Sequence, residues 1–174
     1  MSKKAAKCRK RILIAGFGSY LNGDDSFGVR LLYEVESDMG KLSGIDLLEV
    51  GTNGMLLVQQ LLDDYDVLII LDAIAMSGEP GRLYVMKLEG IEDSHEHIAS
   101  IAQLHEVNPQ SALYIAKAIG VLPKEVFIVG CEPSNIDLDL DLSKAVKDCM
   151  SKAKSELKRI ITDLCHMSEE PANT

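Results

Sequence analysis

Two aspartates that end or follow predicted strands are the residues best suited to chemistry. Asp25 lies at the exit of the glycine-containing stretch "GFGSYLNGDDSFGVR", and Asp72 ends the most apolar run of the chain, "VLIILD". The carboxyl ends of parallel strands meet at one edge of a sheet, so both carboxylates are predicted to face the same crevice. Two carboxylates joined by one histidine would offer oxygen and nitrogen ligands to a divalent transition metal. The pattern therefore predicts a cation site.

Four histidines are available as the nitrogen ligand. His95 and His97 lie in an acidic polar stretch that is typical of exposed surface, and His166 lies near the C-terminus. His105 comes directly before the segment in which Asn108 is predicted to cap a helix, a placement that suits a ligand. Spacing alone does not separate a ligand from a solvated or structural histidine at this position.

The glycine loop does not match a nucleotide-binding loop. The third glycine of a dinucleotide fingerprint is replaced by Leu21, and the Lys and Ser/Thr of a P-loop are replaced by Asp24 and Asp25. Two carboxylates would repel a triphosphate, which excludes nucleotide binding. Asp24 by itself is explained by a favourable interaction with the N-terminus of the following helix.

Composition restricts the class of protein. The 174 residues are predicted to form a single domain, 1–174, with loose tails at 1–10 and 167–174. A net charge of −9 argues against nucleic-acid or membrane partners. The sequence shows no secretory signal and no apolar stretch long enough to span a bilayer. The four cysteines have no paired spacing and are predicted to be the reduced thiols of a cytoplasmic protein.

Predicted strands alternate with predicted helices along the chain. Short apolar runs at 12–15, 44–50, 66–73 and 125–130 predict strands, and helical periodicity follows most of them. The run 82–88 follows its predecessor after only a Gly/Pro turn, so it is predicted to pair antiparallel or to lie at an edge. A long final helix is predicted at about 143–165. The fold class is therefore α/β, a three-layer α/β/α sandwich around a mostly parallel, mixed sheet of about five strands.

Five stretches in this order resemble the hydrogenase maturation endopeptidases: "GFGSYLNGDDSFGVR", "GTNGM", "LIILDAI", "LHEVNPQSAL" and "PKEVFIVGCEPS". The resemblance covers the chain from Ile12 to the final helix. It implies that the metal-contacting and catalytic residues are Asp25, Asp72 and His105. The family usually carries Asn after the second loop glycine, where this chain has Ser19, whose short polar side chain can still bond the local backbone.

The resemblance also implies an activity. A member of this family is expected to be a peptidase that removes a C-terminal extension from the large-subunit precursor of a nickel-iron hydrogenase. Nickel is expected to arrive with the precursor as the recognition signal, with no resident organic cofactor. The chain is expected to be a cytoplasmic monomer that binds its protein substrate transiently. The "GTNG" turn either contacts the extended tail of the precursor or only begins a helix.

Several alternatives remain open from the residues. Nickel could polarise the scissile carbonyl and activate water, or could serve only as an anchor. Asp25 and Asp72 could share a proton as in an aspartic protease, which would not need His105. A non-catalytic nickel-sensing chaperone would look much the same, and a metallo-amidohydrolase would need a resident metal. A cysteine protease is rejected, because Cys131 has no histidine predicted to orient it and suits a small buried residue.

Overall fold

The computed structural model describes residues 8–39, 42–90, 107–134 and 141–166. Within these ranges the chain forms one five-stranded sheet in the order β2-β1-β3-β5-β4. The strands are β1 Ile12–Phe17, β2 Ile45–Gly51, β3 Val67–Ala73, β4 Leu83–Lys87 and β5 Glu125–Cys131.

The sheet is mixed, as the sequence predicted. β1 pairs in parallel with β2 and β3, and β3 pairs in parallel with β5. β4 lies at the edge and pairs antiparallel with β5, because the turn between β3 and β4 is too short for a crossover helix. The carboxyl ends of the four parallel strands therefore lie along one edge of the sheet.

Helices cover both faces of the sheet. The described helices are α1 Phe27–Met39, α2 Met55–Gln60, α3 Pro109–Ala118 and α4 Lys144–His166. Ile12 and Ile14 of β1 pack with α1 and α4 on one face, whereas Leu13 and Ala15 pack with α2 and α3 on the other. Successive side chains point to opposite faces, and both faces are covered, as in a strand that is buried on both sides. This arrangement confirms the three-layer α/β/α sandwich. No helix in the described ranges is long and apolar enough to cross a membrane.

The cysteines differ from the sequence prediction. Cys8 and Cys165 form a disulfide that joins the segment before β1 to the end of α4, while Cys131 and Cys149 are buried free thiols. A separation of 157 residues gives no sequence signal for this pair. Structural disulfides are uncommon in reducing compartments, so the cysteines no longer argue for the cytoplasm. Residues 8–10 also pack on the domain, since Cys8 is buried and Lys10 pairs with Glu125.

Reducing this disulfide is expected to lower the free energy of unfolding by about 2–4 kcal/mol, because the bond closes a long loop in the unfolded chain. Thermal denaturation with and without reductant measures the effect. Cys8→Ser is the control, since reductant should not shift its melting temperature. Thiol titration in denaturant should find two thiols in the unreduced protein, and a count of four would contradict the bond.

Candidate functional site

A cleft of about 270 Å³ lies at the carboxyl edge of the sheet and contains both predicted aspartates. We call it the carboxylate cleft. It is lined by Phe17, Gly18, Asn22, Asp25, Gly51, Thr52, Asp72, Ala73, Val107, Asn108 and Pro109. Asp25 and Asp72 therefore line one cleft, as the strand-end argument expected.

The loop after β1 positions Asp25. Gly18 has φ +114°, and a Cβ on Gly18 would lie 1.8 Å from the carbonyl oxygen of Asp25, so only glycine is tolerated there. Asp25 lies in the short 3₁₀ helix Gly23–Ser26, and its Oδ2 accepts a hydrogen bond of 2.8 Å from the Ser19 N–H. The Ser19 hydroxyl in turn accepts from the Leu21 N–H, the local bond expected of a short polar residue at this position.

Close packing of α1 brings this loop against β3. A Cβ on Gly28 would lie 2.1 Å from the Leu71 carbonyl oxygen and 2.5 Å from that of Phe17. The absence of a side chain on Gly28 therefore lets the first turn of α1 touch the ends of β1 and β3. Asp25 lies just before α1, and Asp72 lies just after Leu71. This contact therefore sets the distance between the two aspartates.

Asp72 is placed by the sheet register. Gly16 pairs with Leu71, so Asp72 lies beside the glycine loop that leaves β1. The pKa of Asp72 is raised to about 7, mainly by burial and also by the negative charge of Asp25, while a hydrogen bond from the Ala73 N–H lowers it. A carboxyl group that titrates near neutrality can both accept and donate a proton at physiological pH.

Asp24 has a different role from its neighbour. Its side chain is 1% exposed, and its two oxygens accept hydrogen bonds from the Ser134 N–H at 2.7 Å and the Ser143 N–H at 2.6 Å. Asp24 therefore joins the glycine loop to the segment after β5 and to the residue that precedes α4. The two adjacent aspartates divide into one structural residue and one that faces the cleft.

Asp24→Asn is expected to lower the free energy of unfolding by about 2–3 kcal/mol, because the amide NH₂ cannot accept a bond from the second N–H. Urea denaturation measures the change. Asp25→Asn is the matched control, since Asp25 is only half-buried and Asn can still accept from Ser19. Equal stability of the two variants would contradict the structural role of Asp24.

The "GTNG" turn borders the same cleft. Gly51 accepts a hydrogen bond of 3.0 Å from the Gly18 N–H, and Gly54 donates one of 2.9 Å to the Val107 carbonyl. Thr52 adds a hydroxyl to the cleft lining. The turn therefore connects the loop of Asp25 to the segment that leads into α3, in addition to beginning α2. Thr52 follows the end of β2, so the strand-end argument could have singled it out.

His105 lies outside the described residues, as do His95 and His97. The described chain resumes at Val107, which lines the cleft, and Asn108 caps α3 by accepting from the Ser111 N–H at 2.8 Å. Among the described residues no group of three His, Cys, Asp or Glu side chains is placed to hold a metal ion. The described part of the site thus supplies two of the three predicted ligands.

The end of β5 and the two residues that follow it have structural roles. Gly130–Pro133 reaches the predicted edge, but none of these four residues is among the described lining of the carboxylate cleft. A hydrogen bond with Cys149 and burial both raise the pKa of Cys131, so its thiol is protonated at neutral pH. This agrees with the rejection of a cysteine nucleophile. Glu132, which the sequence did not single out, is 5% exposed and accepts hydrogen bonds from the Met76 N–H and the Tyr84 hydroxyl.

A second, larger cleft adjoins the first. We call this cavity of about 850 Å³ the apolar cleft. Its apolar lining includes Ile74, Met76, Met86, Leu88, Leu113 and Ile128. It shares Asp72, Ala73, Asn108 and Pro109 with the carboxylate cleft, so the two clefts adjoin at these residues. Among the described lining residues of the apolar cleft, Asp72 carries the only charge.

Comparison with known proteins gives consistent matches. A family model described as hydrogenase maturation protease, HycI, matches residues 29–160. The hydrogenase expression/formation protein HupD of Bradyrhizobium diazoefficiens is 32% identical over 127 residues, covering 73% of this chain and 65% of that protein. The hydrogenase 2 maturation protease of Escherichia coli is 28% identical over 148 residues, covering 84% and 88%. The chain spans 60–65% of the length of the first three curated relatives.

Solved structures agree with this match. The hydrogenase 2 maturation peptidase from a Thaumarchaeota archaeon is 36% identical, with a TM-score of 0.64 over 87% of this chain and 98% of that one. The hydrogenase maturating endopeptidase HybD of Escherichia coli, 24% identical with a TM-score of 0.68 over 88% and 93%, shares the fold. The family model alone covers well over half of the 174 residues. The chain belongs to the hydrogenase maturation protease family.

Proposed function

We propose that this protein is an endopeptidase that removes the C-terminal extension of a nickel-iron hydrogenase large-subunit precursor. The observation that carries the proposal is the pairing of Asp25 and Asp72 in one cleft at the strand ends, in a chain of this family. The names of the similar proteins, which include protease, peptidase and endopeptidase, support the reaction type.

Nickel is proposed to be part of the substrate. Asp25 and Asp72 supply two carboxylate ligands, and His105, two residues before Val107 in the sequence, supplies an imidazole. Carboxylate and imidazole ligands suit a divalent transition metal such as nickel. Coordination by these three residues would let the enzyme distinguish a loaded precursor from an empty one. No resident metal or organic cofactor is proposed.

Asp72 is proposed to move the proton during peptide hydrolysis. An attacking water must lose a proton as its oxygen bonds to the scissile carbonyl carbon, and the departing amine must gain one when the C–N bond breaks. A carboxylate is suited to both transfers, because it can accept the proton of the water and then donate it to the amine. Nickel held beside Asp72 would either polarise the carbonyl or fix the chain in place, and both roles use the same residues.

The proposal is tested by incubating the protein with nickel-loaded and nickel-free precursor from the same organism and measuring product mass. We expect a short C-terminal peptide to be lost from the loaded precursor only. Cleavage of both forms would show that nickel is not the recognition signal. Binding without any change in mass would assign the chain to a non-catalytic assembly role instead.

His105→Ala is expected to abolish processing of the loaded precursor, because one of three ligands to the substrate metal is removed. The readout is the mass of the precursor after a fixed incubation. His166→Ala, a change at the exposed C-terminal end of α4, is the control and should process normally. Undiminished processing by His105→Ala would show that His105 is not a ligand. It would favour the aspartic-protease mechanism, in which Asp25 and Asp72 share a proton.

The location, the oligomeric state and the partners of the protein are proposed as well. We propose that the protein acts in the cytoplasm as a monomer that binds the precursor transiently, without nucleic-acid or membrane partners. The net charge of −9 supports the last point, since an acidic protein is repelled by phosphate-rich surfaces.

A further inference from the structure

Glu132 is a buried carboxylate that the proposed reaction does not use. Its side chain is 5% exposed, on the segment that follows β5. Burying a carboxylate is unfavourable unless its oxygens are hydrogen-bonded, so the groups that Glu132 binds show which part of the fold it supports.

The hydrogen bonds of Glu132 go to the segment after β3 and to β4. Both oxygens accept from the Met76 N–H, at 2.9 and 3.2 Å, and Oε2 also accepts from the Tyr84 hydroxyl at 2.6 Å. Hydrogen bonds from Tyr84, Met76, Gly78 and Ser77 hold the pKa of Glu132 below its ordinary value. Glu132 therefore fixes the main chain that leaves the sheet four residues after Asp72.

Packing around this carboxylate leaves little freedom. A Cβ on Gly78 would lie 2.2 Å from the Tyr84 hydroxyl oxygen and 3.2 Å from Oε2 of Glu132, so the segment lies directly against the pair. The main chain of Glu132 is also bound, since its N–H donates to the Arg82 carbonyl at 2.8 Å and its carbonyl accepts from the Gly81 N–H. The Glu132 carboxylate therefore holds residues 74–78 in a fixed position relative to β4 and β5.

Met76 is the residue this arrangement presents to the apolar cleft. Its side chain is 53% exposed, although its main chain is bound to Glu132. It lines the apolar cleft, which adjoins the carboxylate cleft at Asp72 and Ala73. A peptide chain cut beside Asp72 would extend along the apolar side chains described in this cleft.

We propose that Met76 contacts an apolar side chain of the precursor close to the scissile bond, and that Glu132 is the positioning residue that holds Met76 in place. This inference rests on the proposed function and adds a determinant of substrate specificity to it. Partial burial of the Met76 side chain on binding would stabilise the complex, because apolar area leaves water.

The test is steady-state kinetics on nickel-loaded precursor from the same organism. Met76→Ala is expected to raise KM about tenfold with kcat within about twofold of the wild-type value, because a substrate contact is lost without a change in the reacting groups. Met76→Leu should restore KM, since it keeps the apolar volume. Leu62→Ala, at an exposed leucine in the 3₁₀ turn before β3, is the control at the opposite edge of the sheet and should change neither constant.

Glu132→Gln is expected to raise KM by up to the effect of Met76→Ala, because an amide cannot accept all of these bonds and Met76 is held less firmly. Tyr84→Phe, which removes one donor and keeps the main-chain bonds, should raise KM less. If Glu132→Gln does not fold, Met76→Ala and Met76→Leu decide the question, since that side chain is exposed. Unchanged KM in these variants, or a fall in kcat alone, would overturn this inference. The proposed function would still stand in that case, because it depends only on cleavage by the wild type. Failure of the wild type to cleave would instead overturn the proposed function, and this inference with it.

Discussion

Asp25→Asn and Asp72→Asn are each expected to lower the rate of precursor processing by about 10²- to 10⁴-fold. Asparagine keeps the size and shape of aspartate but removes the negative charge, which is the property that attracts a cation. The Ser19 N–H can still donate to Asn at position 25, so the loop should keep its conformation. The rate is measured in single turnovers of nickel-loaded precursor, with the product mass as the readout.

Asp24→Asn is the matched control for this experiment. It makes the same change of charge one residue away, on a side chain whose oxygens are bound to Ser134 and Ser143 and whose exposure is 1%. Its activity per folded molecule is expected to stay within about threefold of the wild type. Normal activity in Asp25→Asn, together with loss in folded Asp24→Asn, would reverse the assignment of the two residues.

The sequence was sufficient to predict the parts of the fold that depend on local pattern. The apolar run before Asp72 identified the central strand, because five consecutive buried residues are typical of a strand covered on both faces. The short Gly/Pro turn before Leu83 predicted an edge or antiparallel strand, and Asn108 with Pro109 predicted a helix start. The strand-end rule then brought Asp25 and Asp72 together without any knowledge of their distance in space.

Other features depend on contacts that local pattern does not contain. Asp24 and Asp25 are identical in type, and the direction of each side chain is set by the 3₁₀ turn and by backbone donors more than 100 residues away. Cys8 and Cys165 meet only because the segment before β1 and the end of α4 lie on the same face of the sheet. Glu132 was overlooked because its partners, the main chain of Met76 and the hydroxyl of Tyr84, become neighbours only when β4 pairs with β5.

Asp72 is expected to contribute a fall in the stability of the free protein as pH rises from about 4 to about 7. Asp72 has a pKa of about 7 in the folded protein and the ordinary value of 3.8 in the unfolded chain. Between these values the unfolded chain has released the proton while the folded protein still holds it, so raising the pH favours unfolding. Each pH unit in this window corresponds to about 1.4 kcal/mol, and the full effect is about 2–4 kcal/mol.

Asp72→Asn isolates this contribution. Near pH 4 the variant and the wild type should be about equally stable, because both side chains are neutral. At pH 8 the variant should be more stable by about 2–4 kcal/mol, since it carries no buried charge. Urea denaturation at a series of pH values measures both curves. Asp25→Asn should keep part of the pH dependence, because burial is the larger cause of the shift and the charge of Asp25 the smaller.

Parallel pH curves for the wild type and Asp72→Asn would show that Asp72 titrates normally and that the cleft does not oppose its ionisation. Diverging curves would show that the folded protein opposes the ionisation of Asp72, chiefly through burial and in part through the charge of Asp25. A bound cation removes that opposition, because it favours the ionised form of both groups. The variant that gains stability at pH 8 would then be the same one that is expected to lose processing, because the buried charge that opposes folding is the charge proposed to bind the cation.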